Sequence, residues 1–244
     1  MILTIDVGNT NVKVAVFKQF NLLDKFVFQK NNFQNNFKII LKKYPNHLKA
    51  VISSVSQSED DDILWLKKQI HVIEINSETK FPFKNGYSTP KTLGIDRMVL
   101  AAGAVIEYPN QNILIIDAGT CITYDFITNK KEYLGGAISP GLSMRYKALH
   151  DYTAKLPLLE NNPPESFIGN STNQSIYSGV VNGLCFEIEG FISEYSVKNA
   201  QFTIILTGGD AIFLANRLKS TIFADENFLL KSLQQLYTYS LQND

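Results

Sequence analysis

"LTIDVGNTNVKVAVF", residues 3–17, and "LIIDAGTCITYDFI", residues 114–127, carry one phrase twice. Each is an apolar run that stops at an aspartate, passes through glycine and small polar residues, and resumes. Residues 2–6 read as a buried strand, and Val12, Val14 and Val16 alternate onto one face of its hairpin partner. A carboxylate is costly to bury alone, so one that ends a buried strand is held there for a partner.

A hard cation such as Mg²⁺ is a natural partner for Asp6, directly or through water. Gly8 has no Cβ, so the chain turns sharply and a ligand can approach its backbone. Asn9, Thr10 and Asn11 add short polar side chains, Lys13 adds a cation, and the N–H groups of a tight turn form an anion-binding concavity. Together these suit a metal-bound polyphosphate. A capped β-turn explains a single such turn equally well. The second occurrence tips the balance: Asp117, Gly119 and Thr120 again follow an apolar strand, so two facing turns can grip a nucleotide triphosphate. Gly208-Gly209 ends a later strand, as would suit an adenosine. The chain has neither a GxxxxGK[ST] loop nor a GxGxxG turn.

Outward from the first turn, "LLDKFVFQ" reads as a third strand, and Phe33, Phe37, Ile40 and Tyr44 mark a helix. Strand "AVISSV", helix "DDDILWLKKQI" and strand "HVIEI" follow, then helix "LGIDRMVLAAGAVIEY". From Ile113 a second unit opens, with helices around Leu142–His150 and Thr172–Tyr195, strands "FTIILTGGD" and "TIFAD", and a terminal helix. The expectation is two similar α/β domains, 1–110 and 111–244, with a ligand cleft between them.

Hydrophobic residues make up 45% of the 244 and charged residues 19%, ample for a core. Lys+Arg and Asp+Glu are both 23, with no basic tail or stripe, which argues against nucleic acid as a partner. Cys121 and Cys185 have no metal-ligand spacing and read as buried thiols in a reducing compartment. No signal segment and no apolar run of about 18 residues is found, so a cytoplasmic protein with no membrane contact is expected.

Six pieces in order give a resemblance: "DVGNTNVK", "LGIDR", "DAGTCIT", "GGAISPGL" with "TAKLP", "GNSTNQSIYSG" and "TGGDA". They cover nearly the whole chain and resemble the type III pantothenate kinase family, of the actin, hexokinase and sugar-kinase superfamily. The resemblance implies two ribonuclease-H-like (actin-like ATPase) domains and ATP-dependent phosphorylation of pantothenate, the first step towards coenzyme A. It also implies a homodimer with its active site near the subunit interface, and a need for Mg²⁺ and for K⁺ or NH₄⁺. By the same resemblance Asp96 is the catalytic base, and Tyr87, Gly94, Ile95, Asp96, Arg97 and Thr172 line the pantothenate site, Thr172 across the dimer interface. Asp6, Val7, Gly8, Asn9, Thr10, Asn11, Val12 and Lys13 form the phosphate-binding turn, Thr120 contacts ATP, and Asp117 holds the monovalent cation. Cys121-Ile122 stands where many relatives have Ala-Thr, a change in wall packing.

The residues themselves leave several points open. Asp117 could hold Mg²⁺ instead, and Arg97 either the carboxylate or the hydroxyl end of pantothenate. Asp96 also suits a plain helix start, and Asp125 is equally a functional carboxylate and a polar strand position. His47, His71 and His150 are scattered and read as surface or core residues. Trp65 reads as core, "EDDD" (59–62) as a helix N-terminus, and "GGAISPGL" as a substrate-side loop or a turn. "STNQSIYSGVVNGLCFEIEGFISEY" reads as one long helix, at a dimer seam or in an intrachain core. Two other functions fit the fold: a non-enzymatic accessory factor, which loss of Asp6, Asp96 or Asp117 would have favoured, and a phosphotransferase acting on a sugar or an acetyl-type acid, which would not need "GIDR" with "GNST".

Overall fold

Strand β1 (Ile2–Val7) buries Leu3, Ile5 and Val7 on one face and returns as β2 (Asn11–Lys18), whose Val12, Val14 and Val16 meet them. The computed structural model describes residues 1–8, 11–45, 48–54, 61–198 and 201–243. The chain goes on through β3 (Asn21–Gln29), α1 (Phe33–Lys43), β4 (Lys49–Ser54), α2 (Asp61–Lys67) and β5 (His71–Ile75). Pairing gives the strand order β3-β2-β1-β4-β5, with β1–β2 and β2–β3 antiparallel and β4 and β5 parallel to β1 and β4. Helix α1 turns Phe33, Phe37 and Ile40, spaced one and two turns apart, into the core. Phe33 and Phe37 rings lie 4.4 Å apart there, and Trp65 of α2 packs against the same cluster.

A two-residue strand, β6 (Lys84–Asn85), precedes α3 (Ile95–Glu107). Helix α3 is buried from Arg97 to Val105, as expected for a sequence apolar nearly all round. After Pro109 come β7 (Ile113–Ala118), β8 (Cys121–Ile127), β9 (Glu132–Pro140) and α4 (Leu142–Asp151). Helix α5 (Thr172–Tyr177) runs through a π-helical stretch at Ser178–Asn182 into α6 (Gly183–Lys198). Strand β10 (Thr203–Thr207), α7 (Ala211–Ala215), β11 (Phe223–Ala224) and α8 (Phe228–Asn243) complete the chain.

The chain divides into two units: Met1–Pro109 with Lys131–Tyr133 and Asn227–Asp244, and Asn110–Lys130 with Leu134–Glu226. The expected division at 110 differs from this at 131–133 and at the C-terminal helix. Glu132 and Tyr133 go with the first unit because they pair in parallel with β6. Helix α8 does so because it covers the second face of the first sheet: Leu230 packs on Ala15 and Phe17, Gln234 Nε2 donates to the Gln19 carbonyl at 3.1 Å, and Ser232 lies against Gly103 of α3.

In the second unit the strand order β9-β8-β7-β10-β11 repeats that of the first, hairpin and parallel crossover included. Its core sets Leu114, Ile116, Ile122, Tyr124 and Leu206 against α5 and α6. Two readings change here. "GGAISP" is strand rather than loop, because Gly136 lets β9 lie directly against the Tyr124–Asp125 backbone. The long helix contains a π stretch, so its turns before and after Ser178 are out of simple phase.

Candidate functional site

Asp6 sits in the middle of a row that crosses three strands of the first unit: Lys13 of β2, Asp6 of β1 and Ser53 of β4 are register partners. Such partners project from the same face, here the face opposite Ile5, Val7, Val12 and Ile52. The Ser53 hydroxyl donates to Asp6 Oδ1 at 3.4 Å. Burial pushes the Asp6 carboxyl up to about 6; Lys13 and Ser53 pull it down, and the negative charge of Asp96 pushes it further up. The turn closes by a Gly8 N–H bond to the Asn11 carbonyl at 3.0 Å. Val7 and Val12 bury their side chains in the core, so at the turn they offer backbone. Asn9 and Thr10 lie outside the described residues.

Asp96 occupies the first turn of α3, where the helix dipole favours a carboxylate. Its Oδ1 accepts from the Arg97 N–H at 2.8 Å and folds over Gly94, where a Cβ would leave it no room. Ile95 is partly buried, and Arg97 is only 6% exposed. The Arg97 guanidinium lies 5.9 Å from the centre of the Tyr87 ring, within cation–π range. Tyr87 is held by its N–H bond to Asn85 Oδ1 at 2.9 Å and by Tyr133, ring centres 6.2 Å apart. A cavity of about 580 Å³ opens beside this helix start, lined by Ile52, Ser54, Glu74, Lys91, Leu93 and Ile95 among others. The first unit therefore brings together Asp6, Lys13, Asp96, Arg97 and Tyr87.

The second unit carries the companion turn. Gly119 N–H donates to the Cys121 carbonyl at 3.0 Å, the bond equivalent to that of Gly8, and Thr120 is exposed at the tip. Asp117 is paired in register with Thr123 of β8 and Thr207 of β10. Gly208, at φ +96°, packs against the Ala118 carbonyl and Asp117 Oδ1, and the Asp210 N–H donates to that carbonyl at 3.0 Å. Thus the "TGGD" turn is locked onto the end of the Asp117 strand. Asp125 is fully buried on the Asp117 face, two residues beyond Thr123. Thr172 stands exposed at the start of α5, whose cap is the Ser171 hydroxyl accepting from Gln174 N at 3.3 Å.

Sequence reading missed Ser53, Thr123 and Thr207, each a hydroxyl beside a strand-end aspartate; the register of the strands, not their composition, reveals them. It also missed Glu187 of α6, which accepts from Ser139 at 2.5 Å, Arg145 at 2.6 Å and Tyr124 at 3.1 Å, tying β8, β9, α4 and α6 together. Burial would raise its carboxyl, yet these donors hold it below the usual range. His71 and His150 are exposed, His150 Nδ1 lying 2.8 Å from the Leu156 carbonyl; His47 lies outside the described residues. Among the described residues no three His, Cys, Asp or Glu side chains converge as a metal site. A nucleotide-borne Mg²⁺ does not require that, since it takes one or two carboxylates plus phosphate oxygens. The desolvated Asp6 carboxylate fits such an ion.

Residues 2–194 match the family described as type III pantothenate kinase. A type III pantothenate kinase of Flavobacterium johnsoniae is 58% identical over 244 residues, covering 100% of both chains. Among solved structures, a protein assigned to the Baf family of transcriptional activators, from Campylobacter jejuni, aligns with TM-score 0.66 at 22% identity over 98% of this chain and 99% of its own. The activator of the 2-hydroxyisocaproyl-CoA dehydratase from Clostridium difficile, solved with ADPNP, aligns with TM-score 0.58 at 10% identity over 99% and 96%. At these identities the structural likenesses speak to the fold alone, that of the actin-like ATPases and sugar kinases with two α/β domains.

Proposed function

The chain belongs to the type III pantothenate kinase family, and from that premise we propose how its residues divide the work. The activity is phosphorylation of pantothenate by ATP to 4'-phosphopantothenate, the first step of coenzyme A biosynthesis. In our reading Asp96 is the general base. It accepts the proton of the pantothenate primary hydroxyl as that oxygen bonds to the γ-phosphorus and the bond to the ADP oxygen breaks. The observation that carries this reading is the placement of Asp96 in the first turn of α3, within reach for its negative charge to raise the Asp6 carboxyl; we therefore assign the carboxylate of the phosphate turn and the carboxylate at the helix start to one site.

Residues 6–13 hold the phosphates, with Lys13 as the fixed cation, and Thr120 contacts ATP. Asp6 is assigned to Mg²⁺, which when bound neutralises phosphate charge. Asp117 is assigned to K⁺ or NH₄⁺. Arg97, buried against Tyr87, anchors pantothenate with Gly94 and Ile95. Thr172 reaches the site of a second copy in a homodimer. Exposed apolar side chains near α5 support that dimer: Phe167 is 68% and Ile168 80% exposed, and Phe167 lies 6.1 Å from the ring of Phe186, itself 59% exposed. We assign the chain to the cytoplasm with no membrane partner, and the even charge balance speaks against a nucleic-acid partner. No described helix is long and apolar enough to cross a membrane. The test is ADP release by the purified chain with ATP, Mg²⁺ and K⁺. Release that requires pantothenate is expected, and release that requires only a sugar would contradict the assignment.

A further inference from the structure

The two carboxylate rows are equivalent in topology but not in chemistry. In the first unit β2 contributes Lys13 and β4 contributes Ser53 to the flanks of Asp6. In the second, the corresponding strands β8 and β10 contribute Thr123 and Thr207 to the flanks of Asp117. A hydroxyl therefore stands where the first unit has an ammonium group. Both threonine Oγ1 atoms are buried and have no hydrogen-bond partner among the described residues, and Thr207 as a whole is 1% exposed. Buried hydroxyls are almost always satisfied, by protein, water or a bound ion. Ser53, the counterpart of Thr207, already donates to its aspartate.

We propose that Thr123 and Thr207 supply oxygen ligands, with Asp117, to a monovalent cation, and that this mobile ion takes the place that Lys13 fills in the first unit. The inference rests on assigning K⁺ or NH₄⁺ to Asp117. The donor set suits such an ion: hard oxygens, with one formal charge among them. Mg²⁺ dehydrates reluctantly and favours carboxylates with retained water. The glycine turn contributes by holding Asp117 in place, since Gly208 lies against Asp117 Oδ1 at a φ that disfavours a side chain.

The experiment is thermal unfolding of the full chain with MgATP and no pantothenate, replacing tetramethylammonium chloride by KCl at constant ionic strength. The wild type should be stabilised by K⁺ with a definable midpoint concentration. Thr207→Val and Thr123→Val, which keep the shape and lose the hydroxyl, should each raise that midpoint about tenfold, a modest loss for one ligand. Thr207→Ser should restore it, and Asp117→Asn should abolish the response. Valine variants with the wild-type midpoint, while Asp117→Asn loses the response, would overturn the inference and leave the aspartate assignment standing, a buried water then satisfying the hydroxyls. A wild-type response in Asp117→Asn, or no response to K⁺ in the wild type, would overturn both.

Discussion

Asp6 and Asp96 belong to different elements, the end of β1 and the first turn of α3, yet the charge of Asp96 raises the proton affinity of Asp6. Like charges so placed repel each other, an arrangement that disfavours the empty site and favours a bound cation.

The first prediction follows from the burial of Asp6, to which that repulsion adds. Burial raises the Asp6 carboxyl from 3.8 in the unfolded chain to about 6 in the fold. The folded state thus holds this proton more tightly, so the contribution of Asp6 to stability is fully present below pH 4 and is lost as pH rises through 6. Asp6→Asn removes this penalty. It should stabilise the protein by roughly 1–3 kcal/mol at pH 7.5 and by little at pH 4, as read from urea unfolding, while losing activity. Equal stabilisation at both pH values would refute a raised carboxyl.

Arg97 is buried, and its planar guanidinium faces Tyr87. Lysine keeps the charge but not the fork or the stacking. Arg97→Lys should raise KM for pantothenate by about 10–100-fold, the worth of a charge-assisted hydrogen bond, and leave KM for ATP nearly unchanged. Steady-state kinetics with each substrate varied decides this.

Gly103 of α3 lies where a Cβ would come within 2.5 Å of the Ser232 Cβ of α8. Gly103→Ala should destabilise the first unit by about 1–3 kcal/mol through overpacking, although alanine is the better helix former. Adding Ser232→Gly should recover part of the loss in thermal unfolding.

The proposed cation at Asp117 predicts that turnover depends on which monovalent salt is present. Replacing K⁺ by Na⁺ at equal ionic strength should remove most of the pantothenate-dependent rate, and NH₄⁺ should restore it. Equal rates in the two salts would contradict the cation assignment.

Much of this was legible in the chain. The repeated strand–Asp–turn–strand phrase located both hairpins because period-2 burial and a strand-end aspartate are local properties, as Val12, Val14 and Val16 illustrate. Helix α3 was legible from its unbroken apolar run. The partners of Asp6 and Asp117 were not: Ser53 and Thr207 lie 47 and 90 residues away and reach their aspartates only through parallel pairing. The return of α8 to the first unit was hidden for the same reason, since helix periodicity does not say which sheet face the helix covers. Strand β9 was disguised by Gly135 and Gly136, which read as turn residues; here Gly135 takes φ +97° within the strand and Gly136 permits close backbone packing.

The role of Asp96 is tested most directly by one variant, Asp96→Asn, assayed for pantothenate-dependent ADP release alongside equilibrium binding of ATP. Loss of a positioned general base predicts a fall in kcat of about 10²–10⁴-fold, with ATP affinity kept or slightly increased as repulsion from Asp6 is relieved. A variant that turns over pantothenate at a near-normal rate would contradict the account.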